Sequence, residues 1–132
     1  MNLSLSKAQR YFMHYKSTDM RKGFNGLCDL VRNEFMQNPL SGDVFIFINR
    51  PRNRIKLLHW QGDGFAIYYK RLEKGTYEVP ETRGESASIE ISMQQLLLIL
   101  EGISLLSVKT RKRYVPHFVD KNSMNTIHSA YL

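Results

Sequence analysis

The sequence predicts an α+β fold: an antiparallel β-meander sheet of roughly four to six strands packed by two helices. Three observations lead there. Short apolar stretches separated by turn residues fill the middle of the chain, an apolar stripe at helical spacing precedes them, and a capped apolar run follows. With 132 residues, 42% hydrophobic and 23% charged, the composition is that of a globular chain with one core, not of a disordered or fibrous one. The expected organisation is a single α+β domain over residues 1–108, with 109–132 a basic C-terminal tail or irregular wrap.

Each element has its own signal. "RYFMHYK", residues 10–16, alternates with Tyr11, Met13 and Tyr15 on one face, which suits an opening strand. Ser17, Thr18 and Asp19 then offer N-cap oxygens, and Met20, Phe24, Leu27, Leu30, Val31 and Phe35 recur at helical spacing, so a helix is expected to end before Pro39. Gly23 and Gly26 inside it point to close helix-on-sheet packing. "VFIFI", residues 44–48, is apolar on both faces and reads as an interior strand.

"RIKLLHW" and "FAIYYKRL", joined by a two-residue turn at Gly62-Asp63 or Asp63-Gly64, form a hairpin. A short strand is expected at 76–79, and Ile89 and Ile91 suit an edge strand. Ser92 with Gln95 is a capping-box pair opening a buried helix that Gly102 stops.

Lys and Arg number 19 against 12 Asp and Glu, a formal charge of +7, which favours polyanion partners. In the hairpin, alternation sends Arg54, Lys56, Leu58 and Trp60 to one face, with Phe65, Ile67, Tyr69 and Arg71 joining them across the turn. Arg50 and Arg52 in the preceding loop, with Arg54, Lys56, Lys70 and Arg71, are expected to make a cationic edge that grips phosphates, and Arg21 and Lys22 a second contact. The plainer alternative is a hairpin end kept soluble by charge. "KTRKR", residues 109–113, reads as a flexible basic arm. Trp60, Tyr68 and Tyr69 are the candidate anchors of a competing reading, a protein-interaction module or homodimer.

No catalytic, metal or cofactor site is expected. His14, His59, His117 and His128 are scattered without ligand spacing, and Cys28 lies on the apolar side of the first helix as a packed thiol. No nucleophile elbow or phosphate loop is present. Asp19, Asp43 and Asp63 lie at the ends of expected elements, where the carboxylates of a metal nuclease could meet, but capping and turn chemistry explains them better. One cysteine makes no internal disulfide, and the longest apolar run, "LLLIL", falls far short of the roughly 20 residues of a spanning helix. A cytoplasmic protein without a membrane partner is therefore expected.

"TDMRKGFNGL" (18–27), "NRIKLLHWQGDGFAIYYKRLEKG" (53–75) and "LLLILEGI" (96–103), in that order, resemble the TnpB family of accessory proteins. These are second-reading-frame products of insertion-sequence-66 type bacterial transposable elements. The resemblance implies a bacterial protein, nucleoid-associated if it binds DNA, made beside a separate transposase that carries the strand-cutting chemistry. Its implied partners are DNA, transposon ends among them, and that transposase; oligomeric state is left open. Carried over by position, the family's marked residues fall on Asp19, Met20, Arg21, Lys22, Gly23, Phe24, Gly26 and Leu27, and on Arg54, Lys56, Trp60, Gly62, Gly64, Lys70, Arg71, Leu72 and Gly75. Asn25 stands where the family usually has an acid, and His59-Trp60-Gln61 where an aromatic pair and an acid are common, which weakens any carboxylate-based activity.

Overall fold

In the computed structural model, which describes residues 5–81, 84, 86–103 and 113, the chain opens with strand β1 (Tyr11–His14) and crosses through helix α1 (Phe24–Asn33) to strand β2 (Val44–Ile48). β1 and β2 pair in parallel, Phe12 opposite Phe45. The expected all-antiparallel meander is thus corrected to a mixed sheet. The reason is the intervening helix: a connection that carries a whole helix acts as a crossover and returns the chain in the same direction. Strands β3 (Arg54–Trp60) and β4 (Phe65–Arg71) continue antiparallel from β2, and β5 (Ser88–Ile91) pairs antiparallel with β1, giving the order β4-β3-β2-β1-β5. Helix α2 (Met93–Glu101) follows.

Alternation along the strands divides the core between the two faces of the sheet. Tyr11, Met13, Val44, Ile46, Ile48, Ile55 and Leu57 pack with Leu96, Ile99 and Leu100 of α2, while Phe12, Phe45, Phe47 and Leu58 pack with Leu27, Cys28 and Val31 of α1. A helix covers each face, so β2, central and buried at all five positions, is apolar on both sides as expected. On the α1 side the rings of Phe12, Phe35 and Phe45 stack or meet edge to face. Each such fully buried side chain stabilises the fold by about 1.5–3 kcal/mol.

The first helix starts later than its sequence pattern suggests. Gly23, not Asp19, is the N-cap, and no side chain caps it. Asp19 instead closes a turn in which its main-chain oxygen accepts from Lys22 N and its carboxylate from Arg21 N. A helix beginning at Met20 would spend the carbonyls of Met20 and Lys22 on backbone bonds. Here both accept from the Lys56 ammonium at 2.8 Å. Gly26 remains inside the helix, where a Cβ would come within 3.1 Å of Lys22 Cβ.

The second helix follows its signals. Ser92 and Gln95 form the reciprocal capping box, and Gly102 ends the helix at φ 80, a left-handed conformation that favours glycine. The hairpin turn is resolved to Gly62-Asp63, with Gln61 N donating to Gly64 O and Gly62 at φ 91 in the first central position. Residues 76–79 are not a strand. Tyr77 is buried there and its N–H donates to Arg52 O, so the segment crosses behind the β2–β3 loop and is not part of a strand. The expected tail at 109–132 lies outside the described residues except for Arg113.

Candidate nucleic-acid interface

Because β1 and β2 run in parallel, the loops that follow them emerge at the same end of the sheet. One is the β1–α1 loop, residues 15–23, and the other the β2–β3 loop, residues 49–53. Asn49 builds the second. Its carbonyl accepts from Arg52 N, and its side-chain oxygen accepts from Asn53 N and Arg54 N at 3.0 and 2.9 Å, while its amide donates to Asn53 Oδ1. Leu72 N and Tyr77 N brace the loop from behind by donating to Asn53 O and Arg52 O. Arg52 is held at φ 60, which costs a residue with a Cβ about 1–2 kcal/mol. The loop therefore presents the exposed Arg50 and Arg52 from a fixed backbone, and neither has an ion-pair or hydrogen-bond partner for its side chain among the described residues.

Of the other expected cations, Arg54 joins this end: half-buried, it donates from Nη1 to the Tyr69 hydroxyl at 3.0 Å. Lys56 does not. It is 7% exposed, and its ammonium is spent on the Met20 and Lys22 carbonyls and lies 4.6 Å from the Tyr69 ring centroid. Alternation had put it on the right face, but α1 and its leading loop cover that face, so the expected phosphate contact at Lys56 is withdrawn. Arg71 sits opposite Arg54 and donates through Nε and Nη2 to Glu73 Oε1. Lys70, exposed, pairs in register with Ile55 on the opposite face. The six cations are thus not one patch.

In the β1–α1 loop, Arg21 forms a two-pronged ion pair with Asp19, and this guanidinium holds the Asp19 carboxyl at about 2, well below the usual carboxylate range. Lys22 is exposed. Of the expected anchors, Tyr69 is 46% exposed, whereas Trp60 is half-buried edge-on against Phe65 and Tyr68 is half-buried against the α2-side core. Asp43 accepts from Arg10 N near the start of β2 and Asp63 lies in the far hairpin turn, so neither meets Asp19; among the described residues no three His, Cys, Asp or Glu side chains gather where they could hold a metal ion. Lys109, Arg111 and Lys112 of the expected basic arm lie outside the described residues. Arg113 donates to Thr76 O and Ile99 O and lies over the Tyr77 ring, supplying a cation at the C-terminus of α2.

Between the two loops lies a cleft of about 660 Å³, walled by Ser17, Thr18, Asp19 and Met20 on one side and Asn49, Arg50, Pro51, Asn53 and Arg54 on the other. A smaller one of about 160 Å³ adjoins it, with Lys16, Arg50 and Arg52 on its walls and His14 beneath. His14 is 5% exposed, with Nδ1 3.1 Å from Thr18 Oγ1 and its ring stacked on Phe35; burial lowers its pKa. Neither the cleft nor Asn49 was anticipated. A helix between two apolar stretches is the signal for a βαβ unit, whose ligands sit at the carboxyl ends of its strands, and Asn49 and Asn53 bracketing "RPR" mark a side-chain-closed turn. No described helix is long and apolar enough to cross a membrane.

Residues 9–110 match the protein family described as "IS66 Orf2 like protein". Two relatives come from Sinorhizobium fredii (strain NBRC 101917 / NGR234). "Uncharacterized protein y4jC" is 27% identical over 106 residues, covering 80% of this chain and 89% of the relative, and "Uncharacterized protein y4hO" is 37% identical over 86 residues, covering 65% and 73%. No solved structure matches significantly.

Proposed function

The chain belongs to the IS66 Orf2-like family, and from that premise we propose that it is a non-catalytic accessory protein of DNA transposition that binds nucleic acid through the cationic loops at one end of its sheet. Strand cutting then belongs to a separate transposase, alongside which this protein acts on DNA. One observation carries the reading: Arg50 and Arg52 project from a loop whose backbone is already fixed, with no carboxylate partner among the described residues. Preorganised, unneutralised guanidinium groups suit phosphate oxygens, since little ordering entropy remains to be lost and no ion pair must first be broken. Arg54 lies at the root of the same loop. Arg21 and Lys22 stand on the facing β1–α1 loop and Arg71 lies opposite Arg54 on β4, while Lys70 is on the other face of the hairpin; Arg21 and Arg71 are held by carboxylates and so secondary.

The test is a titration of duplex DNA over a range of salt concentrations. If Arg50, Arg52 and Arg54 each neutralise one phosphate, log K falls against log salt with a slope of about −2.7, from about 0.9 per phosphate. Arg50→Ala or Arg52→Ala lowers that slope by about 0.9 each. A flat salt response removes the reading.

A further inference from the structure

We infer that the outer edge of β4 pairs antiparallel with β4 of a second copy of this chain, the two-fold axis passing at Ile67, so that two five-stranded sheets join into one. Such a dimer goes beyond the nucleic-acid reading and does not depend on it.

The two edges of the sheet differ. At one, β5 has four residues and carries Glu90, and shortness and charge are common protections of an edge against foreign strands. At the other, β4 has seven residues, and its register with β3 runs from Arg54 opposite Arg71 to Trp60 opposite Phe65 without a bulge. Phe65 to Tyr69 include no charge and no proline; the first four are half-buried and Tyr69 is 46% exposed. A long, regular, apolar edge of this kind is a template for another strand. The turn fixes which of its groups face outward. Gln61 N donates to Gly64 O at one end of the hairpin and Leu72 N to Asn53 O at the other, so Ala66, Tyr68 and Lys70, alternating between them, bond to β3. Phe65, Ile67, Tyr69 and Arg71 therefore aim their main-chain N–H and C=O groups away from β3, and no described main chain meets them.

Self-complementarity identifies the partner as a second copy. In a symmetric antiparallel pair the residues opposite each other share a face, so the axis lies at a residue and not between two. Centred on Ile67, Tyr69 of each copy meets Phe65 of the other as an aromatic cross-strand pair, and Arg71 meets Asp63, opposite charges that are both exposed. Arg71 holds Glu73 through Nε and Nη2, which leaves Nη1 without a partner among the described residues. On the other face Tyr68 meets Ala66 and Lys70 meets Gly64, large side chains against small. Centred one residue later, at Tyr68, the same edge would set Glu73 against Asp63 and Arg71 against Phe65, losing both the ion pair and the aromatic pair. In the Ile67 register the outward groups of Phe65, Ile67 and Tyr69 exchange main-chain bonds with those of Tyr69, Ile67 and Phe65 of the other copy.

The experiment is sedimentation velocity on the nuclease-treated full chain over a range of concentrations, where the wild type forms a species of twice the 15.5 kDa of one chain. Arg71→Asp alone and Asp63→Arg alone, each confirmed folded by circular dichroism, set like charges at both ends of the interface and weaken association by about tenfold or more, two ion pairs being lost and two repulsions gained. An equimolar mixture of the two variants regains both ion pairs in a mixed dimer and recovers the association. In the wild type the Ile67 amide gains protection from hydrogen exchange as concentration rises, a reading that needs no variant. A wild type that stays monomeric overturns the dimer and leaves the β4 edge to a strand of another protein. Association abolished by the nuclease overturns it in favour of copies bridged by nucleic acid. Single variants that associate as the wild type does, or an Ile67 amide indifferent to concentration, place the contact elsewhere and overturn the β4 pairing. A mixture as weak as its components overturns the Arg71–Asp63 register.

Discussion

Replacing Lys56 with methionine tests the argument that a buried cation, and not a helix cap, shapes the cleft. The ammonium makes two 2.8 Å bonds to main-chain carbonyls and faces an aromatic ring, and no carboxylate is among its partners. Hydrogen bonds from a charged donor contribute about 1.5–3 kcal/mol each, and a desolvated cation–π contact up to about 2 kcal/mol. Against these stands the desolvation of the ammonium, several kcal/mol, which methionine of similar shape does not incur. The net expectation is a loss of about 2–3 kcal/mol, or roughly 8–12 °C in melting temperature at about 4 °C per kcal/mol for a domain of this size. Thermal denaturation followed by circular dichroism measures it. The same variant keeps the salt slope of the wild type, because its ammonium neutralises no phosphate. A melting temperature equal to that of the wild type refutes the loop-holding role. A slope reduced by about 0.9 refutes the burial argument and returns Lys56 to the phosphate contacts.

Two further outcomes follow from single positions. His14 is held neutral by burial, with Glu34 opposing the shift and Lys16 reinforcing it, so the unfolded chain takes up its proton first; stability is complete above the ordinary value of 6.5 and declines as pH falls below it toward the depressed folded value. Urea midpoints measured across that window fall for the wild type and fall less for His14→Gln. Gly102→Ala places a Cβ at φ 80 and 2.9 Å from Arg113 Cζ, and costs about 1–2 kcal/mol by urea denaturation, the left-handed backbone accounting for most of it because the Arg113 side chain can move aside.

Much of the architecture was legible from local pattern. The capping box at Ser92, the stop at Gly102, the doubly apolar β2 and the faces of the β3–β4 hairpin follow from side-chain periodicity and cap chemistry, which act over a few residues. The parallel pairing of β1 with β2 was missed, although a helical stripe between two strands is its sign. The start of α1 could not be read locally: Ser17, Thr18 and Asp19 offer good cap oxygens, yet the segment before Gly23 is a loop whose carbonyls accept from an ammonium on a strand 34 residues away in sequence. Residues 76–79 were misread for the converse reason, since Tyr77 is buried behind a loop and not in a sheet.

The amino-acid sequence by itself determined the inventory: an excess of cations, a hairpin and loop that concentrate them, the family likeness, and two helices with an apolar sheet between them. Which cations meet solvent was decided only by tertiary structure. Strand alternation gives Arg54 and Lys56 the same face, and nothing within the strand distinguishes them; the β1–α1 loop lies over one and leaves the other at the rim, so one guanidinium reaches the cleft while one ammonium becomes part of its foundation. Burial depends on what packs against a position, and that partner comes from another part of the chain.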